Sequence, residues 1–113
     1  MKSDENSVSV RPFGFRAPRV STSFSFSVEV IATGERYEAV CTDISEDGLA
    51  AELLQPLVPK TTVTIRMLLP GGTAPLHIPG SIEYSQDGRC GLNFLYSSPA
   101  ERRQIQLFIQ SIS

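Results

Sequence analysis

The sequence predicts an all-β domain, a sandwich or small barrel, with one α-helix at its C-terminus. Three observations carry that expectation. Apolar and polar residues alternate with period two along most of the chain, as in "SFSFSVEV". Turn signals such as "ATGER", "PGG" and "QDGR" recur roughly every 8–12 residues. Only the last stretch, "SSPAERRQIQLFIQSIS", changes to helical spacing.

Each element follows from its pattern. Phe24, Phe26, Val28 and Val30 share one face of the first strand, which turns at Gly34. Tyr37, Ala39 and Cys41 line the next strand, and Leu49, Ala51 and Leu53 follow the polar turn Ser45–Glu46–Asp47–Gly48. Pro56 and Pro59 bound a loop, after which Val63, Ile65, Met67 and Leu69 point inward. "LHIPGSIEY" is expected to place Leu76, Ile78, Gly80, Ile82 and Tyr84 on one face, with Pro79 marking an edge or a bulge. Asp87–Gly88 is a hairpin signal, and Cys90, Leu92 and Phe94 close the set. A helix is expected over about residues 98–112: Ser98 caps it, Pro99 suits its first position and Glu101 completes a capping box. Ile105, Phe108, Ile109 and Ile112 form its apolar stripe.

The chain of 113 residues is one domain's worth, long enough to bury about two-thirds of its unfolded surface. Residues 1–10 are polar and without period and read as a disordered tail, residues 11–20 as an arginine-bearing arm, and residues 21–113 as the folded body. A net charge of −2 argues against a general nucleic-acid binder, so any anionic ligand must meet a local positive cluster. The two cysteines read as buried thiols in a reducing compartment. The single His77 and the lack of CxxC or HxxxH spacing leave a zinc site nothing to build on. No apolar run suits a signal peptide or a membrane span, and the expected location is the cytoplasm.

Catalysis has little to start from. The sequence holds no nucleophile–base pairing motif, no glycine-rich phosphate loop opening a helix and no His–carboxylate cluster, so neither an enzyme nor a cofactor is expected. Two stretches suggest binding instead. In "RAPRV", Pro18 fixes its own φ and biases Ala17 toward extended or polyproline II backbone. Three residues per turn would point Arg16 and Arg19 the same way, about 9 Å apart, as a clamp for phosphate or for the O6 and N7 of guanine. In "DISEDG", Asp43 can accept from guanine's ring N–H or exocyclic amine, Ser45 can bond phosphate or base, and Gly48 admits the ligand to the backbone. A plain hairpin also favours these residues, because their oxygens bond backbone N–H groups locally and Gly48 could supply a positive φ.

The order of arginine arm, strand pair, "DISEDG", "GSIEYSQDGRCGLNF" and terminal helix resembles the PilZ domain family, over about residues 11–113. That family is marked by an RxxxR segment and, after a strand pair, by [D/N]xSxxG, which Asp43, Ser45 and Gly48 match. Gly91–Leu92–Asn93–Phe94 also fits, as does Tyr84, where the family often has tryptophan. The resemblance implies a six-stranded antiparallel β-barrel whose arm folds over cyclic di-GMP, with Arg16 and Arg19 on phosphates and guanine edges and Asp43, Ser45 and Gly48 on the other side. It implies a receptor that passes the signal to a downstream protein. The first motif departs from the family in reading RxxR, with Phe15 four residues before Arg19. Phe15 could stack on a guanine or pack against the barrel. Family members without the arginine pair often act as adaptors in pilus or motility machinery, which stands as the alternative.

Overall fold

The computed structural model describes residues 17–113. The tail at residues 1–10, Phe15 and Arg16 lie outside the described residues. Six strands follow in chain order: β1 (Val20–Val30), β2 (Arg36–Ile44), β3 (Gly48–Glu52), β4 (Thr62–Met67), β5 (Leu76–Gln86) and β6 (Arg89–Phe94), then helix α1 (Pro99–Ile112). All pair antiparallel, and they close into a barrel of order β1-β2-β3-β6-β5-β4. Closure removes every free sheet edge, which is how a small sheet avoids edge-to-edge association. The expected six-stranded antiparallel barrel with a C-terminal helix is the observed architecture.

Alternation puts the apolar residues inside. Val28, Ile44, Val63, Ile65 and Ile78 are fully buried, and Leu49, Ile82 and Leu92 nearly so. Helix α1 adds Ile105 and Phe108 to this core, and the Phe108 ring meets Phe24 edge-on at 5.9 Å. Ile109 is partly buried against the core, while Ile112, at the frayed end of the predicted stripe, is exposed. Ser98 caps α1 by accepting from the Glu101 N–H, with Pro99 at the first position. The Glu101 carboxylate reaches the N–H of Ser97 (2.7 Å), not that of Ser98, so the reciprocal bond lands one residue earlier than the capping box predicts.

Three bulges interrupt the alternation, and two of them re-aim residues of interest. Thr42 is an extra residue in β2 opposite β3, between Cys41↔Ala51 and Asp43↔Ala50. Glu83 is an extra residue in β5 opposite β6, between Ile82↔Leu92 and Tyr84↔Gly91. A bulge moves the following residue to the other face. Tyr84, expected to face inward with Ile82, is therefore outside and 45% exposed. The third shift lies in β1, between Ser21 and Phe24. Pro79 sits where the β5–β6 ladder ends, and its carbonyl accepts from Leu95 N–H. No edge is needed to accommodate it, because the N–H it lacks falls beyond the last pair.

Gly48 is not among the glycines with positive φ. Its requirement is room. A Cβ at this position would stand 2.0 Å from the Leu92 carbonyl oxygen, a backbone atom that cannot swing aside. Gly48→Ala is therefore expected to lower unfolding free energy by about 1–3 kcal/mol, the usual range for overpacking, or to abolish folding; a chemical denaturation curve matching the parent would contradict the close approach.

Burial, and after it the Asp43 carboxylate, pushes the Cys41 thiol from its ordinary 9.0 up to about 12, and burial alone pushes Cys90 to about 11. The raised folded values mean that their stabilisation is complete below about pH 9, where both folded and unfolded thiols are protonated. Above it the unfolded chain ionises first, so stability should fall as pH rises from about 9 toward 12. Thiol labelling at pH 8 should be slow in the native protein and fast in denaturant. Rapid native labelling would contradict the burial.

Candidate functional site

The bulges bring the sequence motifs to one patch of the outer wall. Asp43 on β2, Ala50 on β3, Gly91 on β6 and Tyr84 on β5 are successive cross-strand partners, forming one row around the barrel. The two middle residues are small, so the wall dips between Asp43 and Tyr84. With strands about 4.8 Å apart, the dip lies within a span of about 14 Å. Tyr84 leans over Gly91: a Cβ there would meet the ring at 2.3 Å, so only glycine seats the ring in this position. The result is a recess of about 260 Å³ lined by Arg19, Asp43, Asp47, Gly48, Tyr84 and Asn93, among others. A larger concavity of about 730 Å³ lies elsewhere on the wall, around Val40, Glu52 and Leu54; neither Arg19 nor the polar turn lines it. The smaller recess gathers the groups with binding chemistry.

Arg19 directly precedes β1 and turns its guanidinium onto Asp43. The Nε donates to Asp43 Oδ1 at 2.6 Å, and a terminal nitrogen converges on the same oxygen. Both side chains are about one-third exposed (39% and 33%), so the pair adds little stability, about 0–1 kcal/mol in such settings. Its effect is orientation. Among the described residues nothing bonds Asp43 Oδ2, which remains an open acceptor beside the recess. Ala17, two residues before Arg19, is buried.

Ser45 has a different place from the one the motif implies. It is 1% exposed and does not line the recess. Its hydroxyl accepts from the Asp47 N–H (3.1 Å) and lies 3.4 Å from the Gly48 carbonyl as donor, while its own N–H donates to that carbonyl at 2.8 Å. Ser45 staples the turn from within. Gly48 does line the recess, but the close neighbour that it admits is the β6 backbone. Arg16 is outside the described residues.

The far side of the turn is tied to the helix. The Tyr96 hydroxyl donates to the Glu46 carbonyl (2.7 Å), and the Glu46 carboxylate accepts from Arg102 (3.0 Å) and Gln106 (3.2 Å). Arg102 also stacks 4.8 Å from the Tyr96 ring centroid. Burial raises the Tyr96 phenol well above its ordinary 10.0, keeping it a donor. Among the described residues, no group of three or more His, Cys, Asp and Glu side chains could hold a metal ion. Among the described residues, no helix is long and apolar enough to cross a membrane.

Sequence reasoning overlooked Ala50, Glu83 and Asn93 as recess residues. One signal was present: Cys41 and Ile44 are both apolar at a spacing of three, which strict period two does not give without a bulge.

The family model described as the PilZ domain matches residues 15–111. The chain belongs to the PilZ domain family. Solved structures agree in fold. The PilZ domain of YcgR from Escherichia coli, with c-di-GMP, superposes at a TM-score of 0.70 and 21% identity, covering 88% of this chain and 91% of that one. The PilZ domain of CeSA from a cellulose-synthesizing bacterium gives 0.69 and 21%, covering 85% and 95%. The MrkH–c-di-GMP complex from K. pneumonia gives 0.68 and 18%, covering 90% of this chain and 52% of that one. No curated protein matches the sequence. In this PilZ domain the [D/N]xSxxG residues divide their work: Asp43 presents an oxygen at the recess, whereas Ser45 and Gly48 shape the turn that carries it.

Ser45→Ala should therefore lower stability by about 1 kcal/mol through loss of the turn bond. An unchanged melting curve combined with impaired ligand binding would place the hydroxyl on the ligand instead.

Proposed function

We propose that this PilZ domain is a receptor for cyclic di-GMP and transmits the signal by rearranging its N-terminal arm. The observation that carries the reading is the Arg19–Asp43 pair at the mouth of the recess, with Oδ2 of Asp43 left open. A purine lying on the small residues Ala50 and Gly48 would set its N–H edge against that oxygen and its face near Tyr84. Arg19 has a terminal nitrogen to spare for a phosphate oxygen. Arg16, next along the arm, is the proposed second cation. Because Arg19 joins the arm to β1, a ligand gripped by both sides would restrict the arm and change the surface seen by a downstream protein. The c-di-GMP in the YcgR and MrkH structures supports the reading by analogy of fold.

One observation favours the adaptor alternative, in which the domain binds no nucleotide and works through protein contacts in pilus or motility machinery. Among the described residues the recess holds the carboxylates of Asp43, Asp47 and Glu83 against the single guanidinium of Arg19. That balance suits a base edge rich in donors better than a phosphate, so phosphate binding must rely on the arm.

Calorimetric titration with cyclic di-GMP separates the two readings. The receptor reading predicts saturable binding that Asp43→Ala weakens by about 1–3 kcal/mol, the range for a charged hydrogen bond, with little change in ligand-free melting temperature. Arg19→Lys should also weaken binding, since a point charge cannot replace the planar fork, and affinity should fall with added salt. A parent protein that takes up no cyclic di-GMP would favour the adaptor.

A further inference from the structure

We propose that Asn93 is a second base-reading residue, donating its amide N–H to the acceptor edge of a guanine whose N–H edge Asp43 receives. This rests on the receptor reading above. Asn93 lies on β6 between the inward Leu92 and Phe94, so its side chain points out, into the recess. Its cross-strand partners are Gly48 on β3 and Ser81 on β5. One has no side chain and the other a short one, so neither covers the amide.

That amide is half-buried and, among the described residues, idle. It offers two donors and two lone pairs, and none has a partner among the described residues. Two other half-buried polar side chains of the wall are occupied: the Thr42 hydroxyl donates to the Ala50 carbonyl, and Ser85 accepts from the Leu57 N–H. An amide that lines a recess with its donors and acceptors uncommitted is suited to bind a ligand there.

The chemistry of the recess indicates which half of the amide is used. Among the described residues, the carboxylates of Asp43 and Glu83 supply acceptors. Donors among the described residues are few, because two of the Arg19 nitrogens are engaged by Asp43. Guanine presents N1–H and N2–H₂ beside the acceptor O6, with N7 next along. Asp43 and Asn93 stand two strands apart and two residues out of row, about 12 Å between their backbones, and both line the recess. With Asp43 Oδ2 on N1–H and N2–H₂, the Asn93 NH₂ group meets O6. Adenine reverses this edge, with an amine in place of O6 and a lone pair at N1.

The test is a titration of the full chain and two variants with cyclic di-GMP and cyclic di-AMP. Asn93→Ala should weaken cyclic di-GMP binding roughly tenfold by removing one hydrogen bond. Asn93→Asp, nearly the same shape, should weaken it more, because a carboxylate oxygen then opposes O6. The same variant should bind cyclic di-AMP relatively better, narrowing the preference. Melting temperatures should match the parent's, since no protein contact is lost. A parent that binds while Asn93→Asp binds equally well overturns the Asn93 assignment and leaves the receptor reading standing. A parent that binds no cyclic di-GMP overturns both.

Discussion

The close approach of Gly48 to the Leu92 carbonyl is the constraint on which the site depends. It brings the start of β3 flush against β6, leaving no room for a side chain between them. The turn before it can then fold tightly, with the Ser45 hydroxyl inside and the Asp47 carbonyl accepting from the Phe94 N–H. From the other side Tyr96, Arg102 and Gln106 hold Glu46. A four-residue turn is thus fixed by the barrel wall, by its own hydroxyl and by the helix. Asp43 and Asp47 emerge from that rigid frame toward one recess, and a rigid frame lowers the ordering cost of binding.

The recess itself arises from small residues at the centre of a strand row. Ala50 and Gly91 leave the dip, and bulges at Thr42 and Glu83 turn Asp43 and Tyr84 toward it from both sides. The Arg19–Asp43 contact then links the arm to the wall. Both arginine nitrogens meet one carboxylate oxygen, so the pair orients the other oxygen without using it. Because the turn carries recess residues on one side and Glu46 on the other, the recess and helix α1 share a single short segment of chain.

Much of the fold was legible in the sequence because alternation and helical period are direct consequences of burying one face. The strands, the Asp87–Gly88 hairpin and the Pro99-initiated helix follow from such local rules. What escaped were features fixed by contacts between strands. Period two carries Tyr84 inward; one inserted residue, Glu83, sends it out. Gly48 looks like a residue chosen for positive φ, whereas a neighbouring backbone excludes any side chain. Ser45 belongs to a binding motif yet spends its hydroxyl on the turn. Asn93 occupies an ordinary outward strand position, and only the pairing with Gly48 reveals that it is uncovered.

The central claim is that the dip between Asp43 and Tyr84 receives the ligand, and its floor gives the most direct test. Ala50 faces outward at the middle of the row and lines the recess, so Ala50→Leu fills the dip while leaving the motif residues in place. Calorimetric titration of parent and variant with cyclic di-GMP is the measurement. The account predicts binding by the parent and its loss, by tenfold or more on the order of one well-placed contact, in a variant of unchanged circular dichroism. A parent that binds and an Ala50→Leu protein that binds just as tightly would place the ligand elsewhere on the barrel.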